Sequence, residues 1–217
     1  MDSKYICLCF DTETSGLCPK YPTQDISKYP YITQLSFILY DSKEGTVIRH
    51  FNSYIKQTVE HDYTSTAFQM TKITKEMCDN GVPIAKALAE FYNCYLLCGT
   101  LVAHNLQFDK KMIQLEMLRN YNLERQKPEM SVMFNDTFNE LFSIKTYCTM
   151  NGGKDITSIF ITDKHGNRWK KNPKLSELYE KLFSEKPENL HNSLVDTIVC
   201  LKCYIKMKYD QNPAIVL

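Results

Sequence analysis

The sequence has almost no net charge: 26 lysines and arginines face 25 aspartates and glutamates, leaving +1 over 217 residues. A surface so balanced argues against a protein that grips long duplexes mainly by bulk electrostatics, although a focused site can still bind nucleic acid. Long apolar runs are lacking as well. The opening Tyr5-Ile6-Cys7-Leu8-Cys9-Phe10 is interrupted by Asp11 and Glu13, too soon for a signal-peptide core or a membrane span. An intracellular protein, cytoplasmic or nuclear and not membrane-bound, is therefore expected. There is no internal repeat, no low-complexity tract and no segment that reads as a linker to another module. Of nine cysteines, Cys200 and Cys203 form a C-x-x-C, but no second such pair completes a tetrahedral zinc site. At that spacing on a helix the two side chains simply stack, so reduced and mostly buried thiols are expected.

What is present is ordinary for a globular chain: 43% apolar and 24% charged residues. The length suits one domain spanning 1–217 with a real core. Tyr5 to Phe10 has the pattern of a central buried strand that delivers Asp11 and Glu13 at its C-terminal end. Cys18 to Pro30, with three prolines, reads as a surface loop. Ile32 to Tyr40 and Thr46 to Ile55 are strand-like, and the short turn between them forces an antiparallel pair. Pro83 opens a helix with Ile84, Leu88, Phe91 and Tyr95 on one face. Leu101-Val102-Ala103 is a short strand, and Asn105 is the expected N-cap of a helix from Leu106 to Arg119. From Asn122 to Phe142 only the second half looks helical, and Ile144 to Cys148 reads as a fifth strand. Ile156 to Ile161, a turn at 163–167 and Arg168 onward suggest a hairpin at about 155–171. Two helices close the chain, one with Leu175, Leu178, Tyr179 and Leu182 on a stripe, the other from near His191 to Lys208. This order fits a mixed sheet flanked by helices, with its site at the C-terminal strand ends.

Asp11 and Glu13 lie two residues apart on a strand, so their carboxylates point to one side. Such a pair repels itself, and hard oxygen-seeking Mg²⁺ or Mn²⁺ would hold both groups ionised; a solvated loop is the alternative. Asp109 falls in the first turn of its helix, where a lone acid usually complements the dipole. Asp196 sits in the helical run Leu194 to Cys203, where a core-facing carboxylate needs a partner or a metal. His191, five residues earlier, can lean over the same site.

Three blocks, taken together, resemble the DEDDh family of 3′-to-5′ exonucleases, the DnaQ-like group of the RNase H-like superfamily that includes polymerase proofreading subunits. Phe10-Asp11-Thr12-Glu13-Thr14-Ser15-Gly16-Leu17 matches D-x-E-T-x-G. His104-Asn105 with Phe108-Asp109 matches H-N-x-x-F-D, and His191 with Asp196 has the H-x-x-x-x-D spacing. The sister group carries tyrosine four residues before the last aspartate, where Asn192 stands here, which favours the histidine subtype. Gln34 and Pro173 to Tyr179 also look like the family. Thr71-Lys72-Ile73 departs from the usual H-G-I, Cys148-Thr149-Met150 from D-T-L, and the hairpin is additional.

The resemblance implies an α/β fold, an RNase H-like mixed five-stranded sheet flanked by helices with an inserted β-hairpin. It also implies hydrolysis of phosphodiester bonds at 3′ ends with two Mg²⁺ or Mn²⁺ ions. Asp11, Glu13 and Asp196 would hold one ion, Asp11 and Asp109 the other, with His191 as general base. Thr14, Gly16 and Leu17 would contact the terminal nucleotide; His104, Asn105 and Phe108 are neighbours that could equally serve packing. Lys164, Arg168, Lys170 and Lys171 could grip phosphates or form a solvated face. Single-stranded DNA is the expected substrate, in proofreading or repair. An exoribonuclease and a non-catalytic nucleic-acid-binding module are the alternatives, and a polymerase is the partner the resemblance suggests. Oligomeric state is not written in the sequence.

Overall fold

Alternation within one strand divides the molecule into two packed faces. The computed structural model describes residues 2–120 and 128–217. Strand β1 (Ile6–Thr14) lies at the centre of a five-stranded sheet of order β3-β2-β1-β4-β5. Ile6, Leu8 and Phe10 point into the larger core, while Cys7 and Cys9 point into the second core on the opposite face, as a period of two requires. Strand β2 (Ile32–Asp41) runs antiparallel to β1 and to β3 (Thr46–Tyr54). The short strands β4 (Thr100–Ala103) and β5 (Lys145–Cys148) are parallel additions on the other side.

After β3 come two short helices, α1 (Thr66–Thr71) and α2 (Lys75–Asp79), in a stretch whose sequence carries no clear periodicity. Helix α3 (Ile84–Tyr95) buries Ile84, Leu88, Phe91 and Tyr95 as its spacing predicts. Helix α4 (Leu106–Arg119) follows β4, and α5 (Asp136–Leu141) precedes β5. The start of the 122–142 segment, at 122–127, lies outside the described residues; α5 falls in the half that reads as helical. Helices α3 and α4 cover the Phe10 face; α8 (Ser193–Tyr209) covers the Cys9 face, and α7 (Leu175–Phe183) packs Leu178 against Val199 and Cys203 of α8.

Two expectations are corrected, one for Asn105 and one for the hairpin. Asn105 occupies the position before α4 but makes no side-chain capping bond, because its backbone is left-handed, with φ 71°. Ile156 and Thr157, expected to begin a strand, instead end helix α6 (Thr149–Thr157). Gly152 and Gly153 weigh against a helix by about 1 kcal/mol each, yet close packing selects them. A Cβ on Gly152 would come within 2.6 Å of the Tyr147 hydroxyl, and one on Gly153 within 2.7 Å of Leu178. The hairpin is accordingly shorter than expected, β6 (Phe160–Thr162) with β7 (Arg168–Lys170). The last helix begins near His191 as expected, at Ser193, with Asn192 as N-cap, its Oδ1 accepting from Leu194 and Val195.

All nine cysteines are free thiols, seven of them buried, including Cys200 and Cys203. Burial pushes the Cys203 thiol well above its ordinary value, so it packs as a small hydrophobe. The C-terminal tail docks on its own chain at Ile215, which packs against the second core, while Val216 and Leu217 remain exposed. Among the described residues no helix is long and apolar enough to cross a membrane.

Candidate active site

Four acids arrive at the C-terminal end of the parallel strands from two faces of the sheet. Asp11 and Glu13 continue the odd-numbered face of β1, and α8 packs on that face, so Asp196 in its first turn joins them. Carboxylate oxygens of Asp11, Glu13 and Asp196 lie within 4.8 Å of one another. Asp109 comes from α4 on the opposite, even-numbered face. Its Oδ1 accepts from the Thr12 backbone N–H at 3.0 Å and from the Thr12 hydroxyl at 2.7 Å. The fourth acid is thus anchored beside the trio through the residue between Asp11 and Glu13, and is close enough to repel both.

Polar contacts fix α8 at this point. The Ser193 and Ser36 hydroxyls are 2.6 Å apart, the Ser193 N–H donates to Gln34 Oε1, and the Thr197 hydroxyl donates to the Ser36 carbonyl. Gln34 and Ser36 are the β2 partners of Glu13 and Asp11. The ladder that holds the acids therefore also seats the helix that brings Asp196. The His191 backbone, at φ 69°, turns its N–H onto Asp196 Oδ2 at 2.9 Å. His191 helps line a cleft of about 490 Å³, together with Glu13, Thr14, Gly16, Leu17, Ala67, Met70 and Thr71.

Burial raises every carboxyl in the cluster, and repulsion by the other acids adds to it at Asp11, Glu13 and Asp109. Asp11 rises well above the usual range, first through burial and then through Asp109, Asp196 and Glu13. Burial, then Asp196 and Asp109, lifts Glu13 to about 8. Asp109 rises to about 7 through burial, with Thr12 pulling it back, and Asp196 to about 6. Among the described residues none of the four pairs with lysine or arginine. An all-oxygen, uncompensated anionic cluster fits a hard divalent cation.

This has a measurable consequence. With folded pKa values near 8, 7 and 6 for Glu13, Asp109 and Asp196, against roughly 4 in an unfolded chain, the metal-free native state binds more protons than the unfolded state. The associated stability is full below about pH 4 and is lost as pH rises towards about 8. Tm of the chelator-treated protein should fall between about pH 5 and pH 8, and Mg²⁺ or Mn²⁺ should raise it more at the higher pH. Thermal melts at both pH values with and without metal test this; equal metal-induced shifts would contradict it.

The remaining expected site residues fall into two groups. Thr14, Gly16 and Leu17 line the cleft: the Thr14 hydroxyl donates to the Gly16 carbonyl at 2.7 Å, and Leu17 is 88% exposed. Around the Gly16 position for a Cβ there is open space. His104, Asn105 and Phe108 are not placed in that cleft. The His104 ring bridges the Thr149 hydroxyl at 2.9 Å and the Pro173 carbonyl at 3.1 Å, so both nitrogens are used inside the protein. Burial pushes its pKa down, which keeps it neutral: Nε2 donates to Pro173 and Nδ1 accepts from Thr149. Phe108 packs against the larger core, and Asn105 is exposed.

Sequence reasoning missed the wall supplied by α1, namely Thr66, Ala67, Met70 and Thr71. The available signal was the position of Thr71-Lys72-Ile73, which stands where relatives carry H-G-I although two of its three residues depart from that pattern. Lys72, at the glycine position of that pattern, adopts φ 58°, a left-handed conformation that favours glycine.

Solved structures share this architecture at low identity. The chain is similar to the nuclease domain of 3'hExo, a DEDDh family member bound to rAMP, at 15% identity and TM-score 0.64, over 98% of this chain and 96% of that one. It is also similar to a 3'-exonuclease solved in specific recognition of the histone mRNA stem-loop 3' end, at 14% identity and TM-score 0.62, covering 98% and 85%. With E. coli exonuclease I in complex with a dA16 oligonucleotide the values are 15% and 0.62, over 95% of this chain but 42% of that one. The chain thus spans less than half of that enzyme. At these identities the likeness establishes the fold, a mixed five-stranded RNase H-like sheet flanked by helices. No curated protein matches the sequence. The exonuclease family RNase_T matches residues 8–204, a span that holds all four acids and His191. The chain therefore belongs to the RNase_T exonuclease family.

Proposed function

We propose that the enzyme removes single nucleotides from single-stranded 3′ ends, with Asp11, Glu13, Asp109 and Asp196 holding two Mg²⁺ or Mn²⁺ ions. The observation that carries this reading is the uncompensated acid cluster opening directly onto the Leu17–Met70 cleft. Two such ions, when bound, supply stabilisation of both the entering and leaving oxygens of an in-line displacement at phosphorus. The carboxylates of Asp11, Glu13 and Asp196 face one another on one side of β1, and Asp109, steadied by Thr12, flanks Asp11 on the other. His191, at the rim of the cleft, takes the proton from the attacking water as general base. Thr14 shapes the loop that presents Gly16 and Leu17 to the terminal nucleotide, and Leu17 offers an apolar surface to its base. Phe108 and the His104 bridge position α4 and the segment around Pro173, and Asn105 serves the turn between β4 and α4.

The cleft lies within the roughly 300–1,000 Å³ range of sites that enclose one small ligand, which suits an unpaired end nucleotide. The near-neutral surface gives little affinity for duplex as such. Single-stranded DNA is the polymer this reading favours. RNA is the second reading, supported by the near-complete two-way overlap with the structure described as bound to rAMP. Discrimination would rest on the 2′-hydroxyl. Matched DNA and RNA single strands and duplexes, labelled at the 5′ end and digested with Mg²⁺ or Mn²⁺, provide the test. Stepwise release of mononucleotides from unpaired ends is expected. Absence of release from every substrate would refute the proposal, and the faster polymer identifies the physiological class.

A further inference from the structure

The hairpin β6–β7 carries large apolar side chains yet serves no core. Phe160, Ile161 and Trp169 are exposed, and none belongs to a hydrophobic cluster. Register places Ile161 opposite Trp169 on one face and Phe160 opposite Lys170 on the other. The Arg168 guanidinium lies 4.2 Å from the centre of the Phe160 ring. The basic residues of this arm are only partly neutralised. Lys170 pairs with Asp155 and Lys171 with Glu177, each at 2.6 Å, whereas among the described residues Lys164, Arg168 and Lys174 form no ion pair. Asp163, the one acid of the hairpin, is consumed by the turn, accepting from His165, from the Asn167 backbone and from its side-chain amide.

Topology places this arm. The base of the hairpin closes with the Lys171 N–H donating to the Ile159 carbonyl. Two residues on, Pro173 is bonded to His104 at the C-terminal end of β4, and two residues span at most about 7 Å of chain. The hairpin therefore rises from the active-site end of the sheet on the β4–β5 side. The cleft is built by Gly16 and Leu17 after β1 and by α1 after β3. In the order β3-β2-β1-β4-β5 the acids stand between the two.

We infer that β6–β7 is a binding arm for the single strand upstream of the scissile bond, with Trp169 and Ile161 offering base-stacking surface on one face of the hairpin, and Arg168, on the Phe160 face, and Lys164, in the turn, meeting phosphates. This rests on the proposed reading of the cleft: with the terminal nucleotide there and the scissile phosphate at the acids, the rest of the strand leaves towards β4 and β5. Aromatic faces interleaved with cations are what sequence-tolerant binding of single strands requires.

Trp169 is the sole tryptophan of the chain, so its fluorescence reports the arm directly. In chelator, where hydrolysis is stopped, a single strand of about twenty nucleotides should quench the emission saturably and a dinucleotide should not. Arg168→Glu, which keeps the reporter, should weaken that binding about tenfold and flatten its salt dependence. With Mg²⁺, Trp169→Ala should lower the ratio of kcat/KM on the long strand to kcat/KM on the dinucleotide by about tenfold. Unchanged emission, or an unchanged ratio in an enzyme that cleaves the dinucleotide, overturns the inference. Quenching by the long strand in a protein that cleaves no substrate would retain the arm and discard the proposed reaction.

Discussion

Asp11→Asn should lower turnover by about three orders of magnitude, the scale of losing a preorganised electrostatic group from a low-dielectric site. The metal-free variant should nevertheless melt no lower than the wild type. Asp11 is the acid repelled by all three of the others, and among the described residues its carboxylate accepts no hydrogen bond. The amide keeps the shape and removes a charge that the empty cluster can hold only as a proton. Loss of activity and retention of stability thus have one cause, concentrated like charge that only a cation compensates. Steady-state rates with Mg²⁺ and melts in chelator test both halves. Turnover within tenfold of the wild type would remove Asp11 from the mechanism, and a markedly lower Tm would show that it carries packing instead.

Arg119→Met should cost about 3–5 kcal/mol of stability, the range for stranding one member of a buried ion pair. Arg119 and Glu116 lie one turn apart at the C-terminal end of α4, 2.7 Å from each other, with side chains only 9% and 5% exposed. The guanidinium also donates to the carbonyls of Ile26, Tyr29 and Pro30 and lies 3.7 Å from the Tyr31 ring centre. Glu116 meanwhile accepts from the Ile32 N–H. Burial already pushes Glu116 up, and Arg119 is the main influence pulling it down. Without that cation its folded pKa rises further, so the deficit should grow as pH rises. The double variant Glu116→Gln/Arg119→Met should recover part of the loss, as coupled residues do. Urea unfolding of the wild type, the single variants and the double variant tests this; additive effects would contradict it. KM should rise more than kcat falls, because Tyr31 exchanges two hydrogen bonds with Ser15, next to Gly16 and Leu17.

Much of the fold was legible because its signals are local. Six apolar residues in succession ending at Asp11 specify a buried strand, five turn residues after Tyr40 force an antiparallel pair, and Ile84, Leu88, Phe91 and Tyr95 mark one helix face. The four acids and His191 could be selected only because three blocks occur together. Singly, each acid had an ordinary explanation.

The segments that were misread are those where local preference and packing disagree. Helix α6 runs through two glycines that its neighbours require to be small. His104 has the residue type of a substrate contact, yet its two nitrogens close a bridge between segments far apart in the chain. No property of a histidine by itself reveals who its partners are.

The sequence by itself determined which residues can carry charge to a metal and which elements bear them, since residue type and period are written along the chain. Only the tertiary structure decided that Asp196 joins Asp11 and Glu13 on one face of β1 while Asp109 is moored to Thr12 on the other, and that α1 walls the cleft. Those arrangements depend on how helices from distant segments seat on opposite sides of one strand, a matter of packing that no local pattern encodes.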